Sequence, residues 1–312
     1  MVCAGIDTGK RKLDVAIDGS SMRRQAANND EGHEELSVWL RQHRVTRVGI
    51  EASGGYEQPV VARLRRDKFI VVVFQPAQVR AYAKFHLQLA KNDKIDAALI
   101  AACTTAVKKI HAAPDQRLTP LAEHQTLIEQ ITDQITRLTH YLEACRDPRI
   151  RTLWEEEIAR FRGVLKKEQK QLQATIHTHR DLAERLDLIA SVEGIGLPTA
   201  AAILVRLPEI GRLTREQVAA LVGLAPYDDD SGDHFGARHI AGGRKRLRKS
   251  VYAAAFAAAF HWNAQLKAFY QRLTAAGKSH KQALVACARK LIIFANTVVA
   301  RGTPWSAAPA TI

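Results

Sequence analysis

Cysteine is scarce in this chain, with four residues in 312 at Cys3, Cys103, Cys145 and Cys287. None falls in a CxxC pair, which argues against a zinc ribbon and for reduced, buried thiols in a cytoplasmic setting. No charged leader with an apolar core is visible in the opening MVCAGIDTGK, so no signal peptide is expected. Long apolar runs are missing as well. The longest, Val251 to Phe260, is alanine-rich and well short of the roughly 20 residues that a membrane span requires, and reads as a buried helix.

What is present is positive charge. Lys and Arg number 46 against 32 Asp and Glu, giving a formal charge of +14 and a pI near 9.8. Such an excess favours polyanionic partners, nucleic acid first, with a generic basic surface as the plain alternative. The length exceeds one typical domain and predicts two globular units joined by something extended.

Residues 2 to 18 read as a hairpin, and VTRVGIEA and FIVVVF as strands separated by the helical patterns of 33 to 43 and GYEQPVVARLRRD. That order is β-α-β-α-β. Helical spacing through VRAYAKF and IDAALIAACTTAV would cover one face of a mixed sheet, closing a first domain over 1–115. Residues 116–187 carry two heptad-like stripes, Leu121 to Leu142 and Ile158 to Ile176, interrupted at Pro148, which predict a helical hairpin or coiled coil serving as spacer or oligomerisation arm. Residues 188–312 read as an all-α domain, with Gly277 between its last two helices.

Four carboxylates stand out in the first domain. Asp7 ends the first strand, Glu51 ends VTRVGIEA, and Asp93 and Asp96 lie at i and i+3 on one helix face. Turn or helix capping would account for any one of them. Together they follow the strand, strand, helix layout of an RNase H-like nuclease core. Ionised carboxylates that close repel by kilocalories unless a cation joins them, and hard oxygen ligands suit Mg²⁺, or Mn²⁺, in phosphoryl transfer.

The C-terminal region carries further signals. VEGIGLPTAAAIL sets Gly194 and Gly196 before a helix start, a helix-hairpin-helix-like element whose main-chain N–H groups would face DNA phosphates. A plain interhelix turn is the alternative. Downstream, Ser231 occupies a polar, glycine-bounded loop that no apolar period would bury, and its pattern does not fit a calcium-binding EF-hand. Arg238, His239, Arg244, Lys245, Arg246, Arg248 and Lys249 follow closely, able to bind and polarise a phosphate beside a serine nucleophile, or to form a solvated basic face.

Taken together, GIDTGKRKLDVAI, IEASGGYE, KNDKIDAALIA, VEGIGLPTAAAIL, GLAPYDDDSG and GGRKRLRKSVY resemble the DEDD transposases of the insertion sequence 110 family, which include the Piv-type DNA invertases. The similarity spans nearly the whole chain. It implies an RuvC-like (RNase H-like) α/β domain whose Asp7, Glu51, Asp93 and Asp96 bind Mg²⁺. It also implies a C-terminal nucleophile, Ser231, that becomes joined to DNA while another protomer's carboxylate domain completes the site. Double-stranded donor and target DNA, a structured guide (bridge) RNA, and a dimeric or tetrameric state are further implications, in a bacterial cytoplasm. One local departure is the acidic run Asp228 to Asp230, which would raise the serine pKa unless basic groups offset it. Three other readings stay open at this point: a Piv-like invertase, an RuvC-like structure-specific nuclease that needs no Ser231, and a non-enzymatic helix-hairpin-helix DNA-binding scaffold.

Overall fold

A five-stranded mixed sheet forms the centre of the first unit, Met1–Ala113, in this computed structural model. The structure describes residues 1–87, 93–108, 115–228, 230–231, 234–236 and 238–306, with backbone alone at 93–95, 230–231 and 234–235. Strands β1 (Val2–Thr8), β2 (Lys12–Ile17) and β3 (Arg23–Ala27) form an antiparallel meander. Helix α1 (Asp30–Gln42) leads to β4 (Val45–Glu51), and α2 (Gln58–Arg66) leads to β5 (Ile70–Phe74), both strands parallel to β1. The order β3-β2-β1-β4-β5, three antiparallel strands followed by two parallel crossovers, is that of an RNase H-like fold.

Alternation sends the side chains of each strand to opposite faces. Ala4, Ile6, Leu13, Val15, Val48 and Ile50 pack on one face with Leu36 and Leu40 of α1 and Val60 and Leu64 of α2. The other face receives α3 (Pro76–Phe85) and α4 (Asp93–Ala106), with Phe74, Val79, Leu99, Ile100 and Cys103 forming a smaller core. Both faces being covered explains why β1 reads as a nearly continuous apolar run. The mixed sheet matches the sequence expectation except for β3. RRQAA carries one buried residue, Ala26, in a charged edge strand, a pattern too weak to announce itself.

The second unit, Pro114–Ile312, is largely helical. Helices α5 (Leu118–Ala144) and α6 (Pro148–His177) are antiparallel neighbours, as the Tyr141–Trp154 ring pair at 6.1 Å and the His124–Glu168 contact at 2.9 Å show. Asp147 caps α6 by accepting from the Ile150 N–H at 3.1 Å, and Pro148 occupies its first turn. The base of this hairpin, Leu118, Leu121, Ile128, Leu172 and Ile176, is part of the core of the C-terminal helices. Those are α7 (Arg180–Ala190), α8 (Leu197–Arg206), α9 (Arg215–Val222), α10 (Lys245–Ala257), α11 (Ala264–Ala275) and α12 (His280–Arg301). A π-helical turn, Ala258–Trp262, separates α10 from α11. Helix α12 is long and apolar enough to cross a membrane, yet ten of its residues are buried, among them Leu284, Leu291 and Ile292 in the protein core. All four cysteines are free thiols.

Between α9 and α10, β6 (Pro226–Tyr227) pairs with β9 (His239–Ile240), and inside that ladder β7 (Asp230–Ser231) pairs with β8 (His234–Phe235). The segment expected as an open polar loop thus carries two nested antiparallel ladders. Two-residue strands are held by their backbone pairing, and leave no apolar period to read.

Two glycines should respond oppositely to an added methyl group. At Gly5 a Cβ would lie 2.2 Å from the backbone N of Ala101 and 2.3 Å from the carbonyl O of Ala97, so Gly5→Ala must push α4 off the sheet. The expected cost is about 1–3 kcal/mol. At Gly163, exposed in the middle of α6, a Cβ meets nothing within 4 Å, so Gly163→Ala should stabilise by about 0.5–1 kcal/mol. Chemical denaturation midpoints of the two variants check both signs.

Candidate active site

The close contact of α4 with the sheet decides where the acidic residues go. Gly5 of β1 lies beneath Ala97 and Ala101, and Gly49 of β4 lies beneath Thr104, whose hydroxyl would be 1.8 Å from an added Cβ. Further back, the Arg47 guanidinium donates to the carbonyls of Thr104 at 3.3 Å and Val107 at 2.9 Å. Thr105 donates to Asp18, whose own N–H bonds the Cys3 carbonyl. Helix α4 therefore runs against the strand direction. Its C-terminal end sits over the starts of β1 and β4, and its N-terminal end over their finishes.

Alternation completes the placement. Asp7 shares the face of Gly5, and Glu51 shares the face of Gly49 and Arg47, which is the α4 side. Ile6 and Ile50 are register partners, so Asp7 and Glu51 follow side by side on adjacent parallel strands. Asp96 directly precedes Ala97, and Asp93 opens the helix. Asp7, Glu51 and Asp96 are each half-buried. Three of the four carboxylates thus belong to one face and one end of the sheet, while the Asp93 side chain lies outside the described residues.

Asp14 was not among the expected residues. It stands opposite Asp7 in the β1–β2 register, so its carboxylate is on the same face. It is engaged by Lys12 at 3.0 Å and by the Gln25 amide at 2.8 Å. The alternating LDVAID pattern carried the signal for it. Among the described residues, no group of three or more His, Cys, Asp or Glu side chains is close enough to hold a metal ion.

The strand ends are bound to one another through Asn28. Its Nδ2 donates to the carbonyls of Gly9 and Tyr56, both at 3.0 Å, while its Oδ1 lies 2.7 Å from His33 Nε2. Glu57 closes the loop after β4, accepting from the N–H groups of Ser53 at 3.0 Å and Gly55 at 2.9 Å. His33 is 2 % exposed, and burial lowers its pKa below the ordinary 6.5 despite the opposing pull of Asp30.

In the second unit, the expected phosphate-binding cations are found paired with carboxylates. Arg244 makes a two-pronged bridge to Glu209 at 2.7 and 2.8 Å, Arg246 meets Glu129 at 3.0 Å, Lys249 meets Asp133 at 2.5 Å, and Arg238 meets Asp228 at 2.6 Å. Arg248 donates to the carbonyls of Gly223 and Gly242. Lys245 is exposed and lines, with Arg206, Arg244 and Arg246, a depression of about 420 Å³. Asp228, the first member of the acidic run, thus has a cationic partner, in a pair exposed to solvent on both sides. Ser231 is placed by its backbone alone, paired with His234 in the inner ladder.

Gly194 and Gly196 lie in the turn between α7 and α8. Gly196 caps α8, and Gly194 packs so closely that a Cβ would be 2.2 Å from that of Ala258. The turn borders a depression of about 580 Å³ with Trp262 at its edge.

Comparison with known proteins bears on this arrangement. The DEDD-type IS110 family, described as Transposase, matches residues 4–146, and the family described as Transposase IS116/IS110/IS902 family matches residues 186–271. The chain belongs to the IS110 transposase family. As an IS110-family transposase it is an enzyme that cleaves and rejoins DNA. The pilin gene-inverting proteins of Moraxella bovis and Moraxella lacunata are each 27% identical to it over 96% of both chains. An uncharacterised 43.6 kDa protein of insertion element IS110 from Streptomyces coelicolor is 29% identical over 44% of this chain and 34% of its own. A Thermus thermophilus RuvC, solved in complex with a Holliday junction substrate, aligns at TM-score 0.28 and 18% identity, covering 34% of this chain and 92% of its own. It is the strand order, not that overlap, that assigns the RNase H-like fold to this transposase.

Two outcomes follow for stability. The fold favours neutral His33, so that contribution is complete above pH 6.5, where the unfolded imidazole is also neutral, and is lost as pH falls from 6.5 through the lowered folded value. Urea unfolding between pH 7.5 and 5 should show this loss, and His33→Gln should flatten it. Separately, Glu129 is 14 % exposed and holds both Arg206 and Arg246, so Glu129→Gln should cost about 1–2 kcal/mol, measured as a lowered urea midpoint.

Proposed function

We propose that this transposase recombines DNA with two cooperating chemistries, a four-carboxylate metal site at Asp7, Glu51, Asp93 and Asp96, and a serine nucleophile at Ser231. The observation that carries the first is the shared face and shared sheet end of Asp7, Glu51 and Asp96, reached through the Gly5 and Gly49 contacts. Oxygen-only donors of this kind fit a hard divalent cation, Mg²⁺ or Mn²⁺. When bound, such an ion supplies Lewis-acid polarisation of a phosphodiester and charge neutralisation for the carboxylates. The chain's own groups do the rest.

In this reading Ser231 Oγ attacks the scissile phosphorus and loses its proton to a neighbouring carboxylate. The leaving strand oxygen departs with the bonding pair and takes up a proton, and the phosphoserine bond is later broken by a new strand's hydroxyl, which restores the serine. Arg238 and Arg244 stabilise the charge that develops on the phosphorane oxygens, a role for which DNA phosphates would draw them from Asp228 and Glu209. Gly194, Gly196, Lys245, Arg246, Arg248 and Lys249 form the wider DNA-facing set, with the α7–α8 turn acting as a helix-hairpin-helix.

The same proposal includes the three-region division at 115 and 187, coiled-coil association through α5 and α6 into dimers or tetramers, a site completed by a second protomer, and a bridge RNA that pairs with donor and target DNA in a bacterial cytoplasm. Site-specific inversion is the second reading. Its support is the full-length similarity to two relatives named as pilin gene-inverting proteins.

A suicide DNA substrate run on a denaturing gel tests the chemistry. Wild type should yield a protein–DNA adduct that Ser231→Ala lacks, and Asp7→Asn should lower cleavage by more than about 100-fold, since changes even outside the ligand shell cost about 10–100-fold. An adduct retained by Ser231→Ala would refute the nucleophile. Cleavage by Ser231→Ala with no adduct would instead mark a structure-specific nuclease.

A further inference from the structure

Asn28 lies in neither a catalytic motif nor the core, yet it is the residue through which three loops at the acidic end of the sheet are joined. It directly follows β3, at the edge of the sheet. Its backbone N–H donates to the Arg11 carbonyl at 3.0 Å, and one side-chain N–H donates to the Gly9 carbonyl at 3.0 Å, gripping the β1–β2 turn just beyond Asp7. The second side-chain N–H reaches the Tyr56 carbonyl at 3.0 Å, in the loop just beyond Glu51. Both amide hydrogens are thus consumed by carbonyls. The oxygen is left for His33 Nε2 at 2.7 Å, which fixes that nitrogen as the donor and removes the freedom of the amide to flip.

The His33 end of this chain is anchored. His33 is 2 % exposed in the first turns of α1, a helix capped by Asn29, whose side chain accepts from the Gly32 N–H at 2.9 Å. On the far side, the Tyr56 loop is held by the Glu57 carboxylate through the N–H groups of Ser53 and Gly55. One rigid route therefore runs from α1 through Asn28 to the exits of both strands that present acidic residues.

We propose that Asn28 is a positioning residue that sets the spacing between Asp7 and Glu51, with His33 fixing its amide. This rests on the four-carboxylate reading above. Partners that orient ligating side chains typically change metal affinity by about 10–100-fold when altered. Asn28→Asp keeps the size of the side chain but sets a carboxylate oxygen against two carbonyls. Asn28→Ala removes the bridge altogether.

The test is Mn²⁺ binding to the full-length chain, followed by electron paramagnetic resonance without DNA. Both Asn28 variants should weaken the Mn²⁺ dissociation constant by about tenfold or more. Leu36→Ala, which opens a cavity in α1 without touching the bridge, should lower the melting temperature and leave that constant unchanged. Asp7→Asn should abolish the binding. Asn28 variants that bind Mn²⁺ like wild type while Asp7→Asn does not would overturn the positioning role, and so would an equal loss in Leu36→Ala. Binding that survives Asp7→Asn would instead sink the four-carboxylate site itself, and this proposal with it.

Discussion

Everything in the N-terminal unit depends on how closely α4 can approach the sheet. Helix backbone against strand backbone is a contact that only missing side chains permit, and Gly5 and Gly49 provide it on adjacent strands at the same level. With the helix axis fixed there, Arg47 ties down its C-terminal end. The N-terminal end then has no choice but to reach the finishes of β1 and β4. The placement of Asp7, Glu51 and Asp96 towards one end of the sheet therefore follows from a packing constraint one turn away.

The second unit solves a different electrostatic problem. From His234 onward the sequence contains no Asp or Glu, while α10 alone opens with Lys245, Arg246, Arg248 and Lys249. The neutralising carboxylates come from other elements: Glu129 and Asp133 from successive turns of α5, Glu209 from the α8–α9 connection, and Asp228 from β6's exit. Such partly exposed pairs contribute modestly and weaken with salt. They are the kind of bond that a polyanion can exchange for phosphate contacts at little cost, whereas the apolar base of the α5–α6 hairpin remains in the core.

Much of this was legible in the sequence, and the failures are instructive. Strands buried on both faces, such as VCAGIDT and VTRVGIE, announce themselves through apolar content alone, and so do the long stripes of α5 and α6. The edge strand β3 does not, because one buried alanine leaves no pattern. Helix α7 does not stand out as a separate element either, because its Leu182, Leu186 and Ile189 follow the apolar stripe of α6 after only a short break. Candidate acids at strand ends could be listed from position, but Asp14 could not be ranked among them without the β1–β2 register. The partners of the α10 cations lie up to 117 residues away in sequence, which no local pattern encodes.

The charged edge formed by β3 has a bearing on assembly. Arg23 and Arg24 lie along the outermost strand of the sheet, and the first of them is exposed. A second copy adding its own β3 alongside would bring two rows of guanidinium groups together over unpaired backbone, a juxtaposition that edge strands commonly use to refuse partners. The β3 edge is thereby kept from serving as a template on which another strand could extend the sheet.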